Sequence, residues 1–164
     1  MSPEDRIKSE MKSLQEQSQY FGINRVYCAT EVIDLLKQPL SKSEEKGNLY
    51  WYKELLPDGR IQFKAGRTND VVRRMGQWEK KCYKSDIELL KIIETVHSHR
   101  LEQAVHLWFK VAGAWIVPYP CVSCGTRHRE KFEFDEEIEV DVTELGGIEK
   151  AIQITEILRD MIDA

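Results

Sequence analysis

Long apolar runs are missing from this 164-residue chain. No stretch approaches the ~18 consecutive apolar residues that a membrane-spanning helix needs. Residues 1–19 are charged and polar throughout, which does not fit a secretory signal. No internal repeat and no low-complexity tract is visible. We therefore expect an intracellular protein, with the nucleus as one option.

Cysteine is also scarce, with only four residues, Cys28, Cys82, Cys121 and Cys124. In a reducing compartment such cysteines are expected to bind a metal or to be buried rather than to form disulfides. The length fits one compact domain with extensions, because domains usually run ~100–200 residues. Hydrophobic residues make up 41% of the chain, which is enough for a core and excludes wholesale disorder.

The net charge of −4 excludes a basic nucleic-acid binder of the histone type, but it hides a split. Residues 60–84 carry a net charge of +6, whereas residues 131–164 carry −8. Such asymmetry suggests a polyanion partner for the basic part. The acidic part is either a solvated face or a segment that docks on the basic part and competes with nucleic acid.

Hydrophobic periodicity and turn residues predict a small α+β domain with helices on a short mixed or antiparallel sheet. We expect strand 60–64 to end at Gly66, and Thr68 or Asn69 to cap the helix that follows. The predicted extents are helices at 3–19, 29–37, 70–82, 99–111 and 148–162, and strands at 49–54, 60–64, 88–96 and 130–134, with a further strand within 135–144.

The run from Leu49 to Cys82 resembles the core of the GIY-YIG superfamily. The resemblance rests on a tyrosine-bearing hairpin, a glycine after it, an arginine on the next helix and a glutamate on a later one. It is strongest to the phage-derived DNA-binding branch, also found in fungal meiotically upregulated proteins. That branch carries Lys-Ile-Gly-Arg-Thr, where this chain has Lys64-Ala65-Gly66-Arg67-Thr68.

The resemblance implies a three-stranded sheet flanked by helices. It divides the chain into a helical extension at 1–46, a GIY-YIG-like domain with a zinc knuckle at 47–134 and an acidic, helical extension at 135–164. The final helix has a continuous apolar stripe. This stripe either packs on the core or binds a second copy or another protein.

The resemblance also implies the residues of a nuclease site, in which a divalent metal polarises the phosphate and an arginine offsets its charge. Glu102 matches the carboxylate that holds Mg or Mn, and Arg74 matches the arginine. Tyr50 or Tyr52 matches the first tyrosine, and both point to the same face of a strand. Glu102 could instead be an ordinary solvent-exposed helix glutamate. Tyr50 and Tyr52 could instead be packed in the core as aromatic strand residues. His106 lies four residues after Glu102, on the same helix face. It either joins the metal site or orients a water there, or it is a packing or surface histidine.

One position departs from the nuclease pattern. Lys64 stands where the nucleases have a second tyrosine, and an ammonium of ordinary pKa is a poor general base. The predicted function is therefore nucleic-acid binding, DNA foremost, with metal-dependent phosphodiester cleavage as an additional activity. A non-catalytic DNA-binding module and a protein-interaction module are the alternatives. The residues expected to contact nucleic acid are Lys64, Arg67, Arg73, Arg74, Lys80 and Lys81.

A metal site is predicted by the spacing of Cys121, Cys124 and His128, because two thiolates two residues apart reach one ion and Gly125 permits the turn. Cys82 is the best fourth ligand, since it ends a predicted helix and the resemblance pairs a cysteine there with the Cys-x-x-Cys. We expect structural zinc, because four protein ligands leave no open position. The alternative is that Cys82 is a buried helix residue and that His128 is a surface or catalytic histidine. Cys28 is expected to be a small buried hydrophobe.

Overall fold

The computed structural model describes residues 25–111, 115–116, 120–128, 131–133 and 147–164, together with Ser2, Asp5, Lys8 and Ser9. Most of the helix expected at 3–19, and all of the strand expected within 135–144, lie outside these residues. In chain order the elements are α1 (Arg25–Lys37), β1 (Gly47–Leu55), β2 (Ile61–Thr68), α2 (Val71–Lys81), β3 (Asp86–Thr95), α3 (Ser98–Val111), β4 (Trp115–Ile116), β5 (Lys131–Glu133) and α4 (Gly147–Ile162).

The predicted α+β class is confirmed, and the sheet is antiparallel at every described pairing. Its strand order is β3-β1-β2-β5-β4, so the sheet has five strands rather than the three expected. β5 matches the strand predicted at 130–134. β4 has no counterpart among the predicted strands, because two residues are too short to display the alternation that marks a strand.

Two local expectations around the end of β2 are wrong. The strand does not end at Gly66 but continues to Thr68, with Gly66 paired to Tyr50 across the β1–β2 ladder. The cap of α2 is neither Thr68 nor Asn69. It is Asp70, whose carboxylate accepts a hydrogen bond from the Arg73 backbone amide at 3.1 Å. Thr68 instead accepts from the Asp70 amide and shapes the turn before the cap.

Strand alternation gives the sheet two different faces. Leu49 and Trp51 of β1 point into the main hydrophobic core, which α1, α3 and α4 complete. Tyr50 and Tyr52 point to the opposite face and form a second cluster with Met75 and Trp78 of α2 and with Cys82. Helix α2 therefore stands alone on its side of the sheet among the described residues, with its N-terminal end beside the end of β2.

The apolar stripe of the final helix packs on the core. Ile154 and Leu158 of α4 are buried in the same cluster as Trp51. The indole N–H of Trp51 also donates to the hydroxyl of Thr155 at 2.9 Å. This burial argues against a partner that binds the stripe. The acidic residues 135–144 lie outside the described residues, so their docking on the basic part stays a prediction, as does the division into three parts.

Candidate phosphate groove and metal centre

An open groove of about 370 Å³ lies where the end of β2, the N-terminal part of α2 and the N-terminal part of α3 converge. An adjoining depression shares three of its residues and continues along α2. The residues that line the groove are Glu45, Arg67, Thr68, Asn69, Arg74, Ser98 and Glu102, and the depression adds Asp70, Arg73 and Gln77.

The groove brings together Arg67, Arg74 and Glu102, three of the residues singled out in the sequence. Arg67 lies 3.7 Å from the Glu102 carboxylate and 4.0 Å from that of Glu45. Arg74 donates to the side chain of Gln77 at 3.0 Å. Both ion pairs of Arg67 are long, and the partner side chain of Glu45 is exposed, so neither pair holds Arg67 tightly. An incoming anion can therefore replace these carboxylates as the partner of Arg67.

Glu45, Asn69 and Ser98 also line the groove, although the sequence analysis missed them. Glu45 and Ser98 meet because the Ser98 amide and hydroxyl both donate to the Glu45 carbonyl, at 3.0 and 2.8 Å. These residues are 53 positions apart, so only the tertiary structure joins them. The position of Asn69 could have been predicted from the sequence, because it lies just before a helix N-terminus, where backbone amides often contact anions.

The two tyrosines are absent from the residues that line the groove. The Tyr50 hydroxyl is buried and accepts a hydrogen bond from the Trp78 indole at 2.8 Å. Burial and the Glu54 carboxylate raise the pKa of Tyr52 far above its ordinary value. Both residues thus belong to the packed aromatic cluster under α2, which is the alternative role that the sequence left open for them. With its raised pKa, Tyr52 is poorly suited to act as a base.

Lys64 and His106 also lie away from the groove lining. Lys64 is only 1% exposed, and its ammonium sits 4.2 Å from the centre of the Trp78 ring. This burial corrects the expectation that Lys64 contacts nucleic acid. The imidazole of His106 lies 2.7 Å from the Ala65 carbonyl and packs on Phe132. By contrast, Arg73, Lys80 and Lys81 are exposed on α2.

At the other end of α2, Cys82, Cys121 and His128 could hold a metal ion, since their ligand atoms all lie within 4.8 Å of one another. The two sulfur atoms are 3.7 Å apart, and Nε2 of His128 lies 3.9 Å from Sγ of Cys82. Cys124 adjoins this group, with Sγ 3.3 Å from the same nitrogen. Tetrahedral zinc with its usual bond lengths requires sulfur atoms ~3.8 Å apart and a sulfur–nitrogen distance of ~3.6 Å.

Local structure explains why these ligands converge. Cys82 ends α2, where its amide donates to the Trp78 carbonyl at 2.8 Å. The Cys121 loop turns back on itself as the Gly125 amide donates to the Cys121 carbonyl at 2.9 Å, and Gly125 has a φ of +72° that favours glycine. The Ser123 hydroxyl accepts from the Lys84 amide at 3.0 Å and so ties this loop to the end of α2.

The pKa shifts of His128 and Cys121 favour binding of a cation, whereas that of Cys82 opposes it unless the cation is present. Burial and the neighbouring Lys131 lower the pKa of His128 to about 4, so its imidazole is neutral and able to ligate. Burial opposes ionisation of Cys121, but the Cys124 and Ser123 backbone amides outweigh it and lower the pKa of that thiol. Burial raises the pKa of Cys82 to about 12, so this thiolate needs a cation beside it.

A buried ion pair beside the cluster was missed in the sequence. The ammonium of Lys131 lies 2.6 Å from the carboxylate of Glu54, and both side chains are almost wholly buried. The same ammonium lies 3.4 Å from Sγ of Cys82. Because Glu54 and Lys131 are 77 positions apart and belong to different strands, no local pattern joins them.

The fold and these two sites define an α+β protein with an arginine-lined groove and a group of metal-ligand side chains. Residues 60–154, more than half of the chain, match the MUG113 family, described as meiotically up-regulated gene 113, and the chain belongs to that family. No curated protein and no solved structure matches the chain. In the part of the chain that the structure describes, no helix is both long and apolar enough to span a membrane.

Proposed function

We propose that the protein binds nucleic acid, DNA foremost, through the groove at the end of β2. The observation that carries the proposal is that Arg67 and Arg74 line the groove, while Arg73 and Arg74 line the depression beside it. A guanidinium fork matches phosphate geometry, and several forks along one groove can follow a phosphate backbone. The resemblance to the DNA-binding branch of the GIY-YIG superfamily and the local charge of +6 support the same reading.

Lys80 and Lys81 extend this positive surface along the exposed side of α2. Contacts of this kind fix the protein on the backbone without reading bases, so we expect a preference for DNA shape over sequence. Binding should weaken steeply with salt as phosphate counterions are released. A role in the nucleus agrees with the family description, which refers to meiosis.

Fluorescence anisotropy with labelled linear, branched and single-stranded DNA tests the proposal. Arg67→Ala should weaken binding about 10- to 100-fold, because hydrogen bonds to charged groups contribute ~1.5–3 kcal/mol. It should also reduce the slope of log K against log salt by about one. Arg60→Ala is the matched control, since Arg60 is an exposed arginine of the hairpin turn paired with Asp58. Equal losses in both variants would contradict a specific groove.

A second candidate activity is phosphodiester cleavage that depends on Mg or Mn, and Glu102 favours it. In a site that only binds an anion, the Glu102 carboxylate would weaken binding because it repels the phosphate. In a site that also binds a divalent cation, the same carboxylate can hold that cation against the phosphate. Such a cation would polarise the phosphate when bound. Glu102 would hold it, while Arg67 and Arg74 would orient the phosphate.

Metal-defined protein incubated with branched and linear DNA plus Mn tests this activity. Glu102→Ala should abolish cleavage and keep DNA binding, and Gln103→Ala, an exposed neighbour on α3, should leave both unchanged. Wild-type protein that binds but cleaves no substrate would reduce the proposal to a non-catalytic binding module. Absence of binding at moderate salt would favour the protein-interaction module.

We also propose that Cys82, Cys121, Cys124 and His128 hold structural zinc. The Cys82–Cys121 distance of 3.7 Å fits tetrahedral geometry, and these two residues and His128 have ligand atoms within 4.8 Å of one another, with Cys124 beside His128. Metal analysis of the purified chain should give about one equivalent of zinc. Cys121→Ser should lower it, whereas Cys28→Ser, far away in the sequence, should not. Less than about half an equivalent in the wild type would count against the site.

A further inference from the structure

Two exposed apolar side chains lie at opposite ends of helix α2. Val72 in its first turn is 87% exposed, and Tyr83, two residues after its last residue, is 65% exposed. These are the two most exposed large apolar side chains among the residues that the structure describes. The other tryptophan, tyrosine and phenylalanine side chains whose burial the structure describes are all buried, so Tyr83 stands apart from them.

Positive charge accompanies these apolar side chains along the helix. The cations exposed on α2 are Arg73, Lys80 and Lys81, and Glu79 is the one acid exposed on it. Lys84 follows the helix, and its ammonium lies 5.9 Å from the centre of the Tyr83 ring. Lysine is depleted in surfaces that bind other proteins, whereas a row of cations complements a polyanion. The charge therefore favours nucleic acid as the partner of the exposed side of α2.

The middle of this exposed side carries no side chain. Val72, Gly76 and Lys80 are spaced four residues apart, so they form one line along the helix surface. A Cβ atom built at Gly76 meets no atom within 4 Å, so the space above this position is open. A ligand can thus approach the backbone of α2 closely between Val72 and Lys80.

We propose that this outer face of α2, defined by Val72, Arg73, Gly76, Lys80 and Tyr83, binds an unpaired strand of nucleic acid with one base stacked on the Tyr83 ring. The inference rests on the proposed function and names its substrate class. An aromatic ring stacks on the flat face of a base, and that face is enclosed while the base remains in a duplex. The cations hold the phosphates of the strand, and Val72 supplies an apolar contact at the end of α2 next to the groove.

Tyr83 lies in a turn whose backbone is anchored on both sides of it. The Ser85 amide donates to the Cys82 carbonyl at 3.0 Å, and the Lys84 amide donates to the Ser123 hydroxyl at 3.0 Å. A ring on a fixed backbone loses less conformational freedom when it binds, which favours affinity. Because stacking accepts every base, this face selects unpaired structure rather than sequence.

Fluorescence anisotropy with a labelled single strand and with the same strand in a blunt duplex, at one salt concentration, tests the inference. The wild type should bind the single strand more tightly. Tyr83→Ala should weaken single-strand binding about 5- to 100-fold, the usual effect of removing an aromatic platform, and should leave duplex binding nearly unchanged. Tyr83→Phe keeps the ring and should behave as the wild type. Leu40→Ala, at an exposed apolar residue in the segment after α1, is the matched control.

Two further measurements separate stacking from a general effect on the protein. The emission of 2-aminopurine within the single strand should fall when the strand binds the wild type, and this quenching should be lost in Tyr83→Ala. Gly76→Leu should weaken single-strand binding severalfold, because the new side chain fills the space left for the strand. Urea unfolding should show no loss of stability in this variant, since leucine favours a helix more than glycine does.

Several outcomes would overturn the inference and leave the proposed function in place. They are a wild type that binds the duplex more tightly than the single strand, equal loss of both affinities in Tyr83→Ala, and unchanged single-strand binding in Tyr83→Ala or in Gly76→Leu. A wild type that binds no nucleic acid would overturn the proposed function together with the inference, and would favour a protein partner for α2.

Discussion

Gly66 lies where the ring of Tyr50 crosses β2. A Cβ atom built at this position would lie 2.5 Å from the Tyr50 hydroxyl oxygen, well inside van der Waals contact. That hydroxyl is held by the Trp78 indole, so it cannot move aside without breaking a buried hydrogen bond. The glycine therefore allows β1, β2 and α2 to pack together.

Gly66→Ala should consequently destabilise the protein by about 1–3 kcal/mol, the usual cost of forcing extra volume into a packed site. Urea unfolding followed by tryptophan fluorescence measures this change, and Trp78 itself reports on the local disturbance. Gly66→Ala should cost less stability in a Tyr50→Phe background than in the wild type, because the hydroxyl closest to the new methyl group is absent there. An equal loss in both backgrounds would show that this hydroxyl is not the atom that clashes.

The grouping of individual side chains could be predicted where the residue type and the spacing along the chain both indicate one site. Cys121 and His128 were grouped correctly because their separation suits one ion, and Cys82 was added because it ends a helix. Lys64 was misplaced because lysine is almost never fully buried, so its usual environment is solvent. Trp78, whose ring lies beneath the Lys64 ammonium, belongs to another element and leaves no trace in the local sequence of Lys64.

Helix α2 connects the groove at its N-terminal end to the metal ligands at its C-terminal end. Gly76 lies in the middle of this helix, and a Cβ built there meets no atom within 4 Å. Glycine in a helix interior costs stability because its unfolded chain has more freedom. Nothing within the described structure requires glycine here.

Gly76→Ala should therefore stabilise the protein by about 0.5–1 kcal/mol, in contrast to the same substitution at Gly66. Thermal and urea unfolding measure the gain, with zinc present throughout. Lower stability in this variant would mean that another part of the chain contacts the helix at Gly76.

Most elements could be predicted because their periodicity is strong. The boundaries of β1, α2 and α3 agree with the sequence to within about two residues. The end of β2 was misjudged because glycine often ends a strand, whereas Gly66 makes room for a ring inside one. β4 could not be predicted, because it is defined only by its pairing with β5.

On the scale of the whole molecule, the side chains that could hold a metal come from segments that are distant in the chain. The loop that carries Cys121 and His128 is tied to the end of α2 by the Lys84–Ser123 hydrogen bond, and its ligand atoms lie close to Cys82. A bound ion would hold this loop against α2 and so contribute directly to the free energy of unfolding.

Chelation should therefore lower the midpoint of thermal unfolding, by ~2–4 °C for each kcal/mol that the ion contributes in a chain of this size. Calorimetry with EDTA, followed by return of zinc, measures this effect, and the midpoint should recover. Cys121→Ser should begin at a lower midpoint and respond little to EDTA. A wild-type midpoint that EDTA does not change would contradict a stabilising metal.

The net charge of −4 describes the whole chain poorly, because charge acts on a partner over about a Debye length. The basic segment 60–84 supplies the arginines of the groove, and much of the acidic segment lies outside the described residues. The sequence predicted this separation of charge. It could not predict that Lys64, alone among the four lysines of the basic segment, is buried.

The hydrogen bond between Trp51 and Thr155 spans 104 positions of the chain, and it has a consequence for biosynthesis. Strand β1, which carries Trp51, is translated long before helix α4, which covers one of its faces. Until residue 155 has left the ribosome, Trp51 and its neighbours lack that cover and expose apolar surface. Emergence of α4 from the ribosome, rather than formation of the hairpin, is therefore the step at which this fold closes, and the nascent protein is a natural client for chaperones.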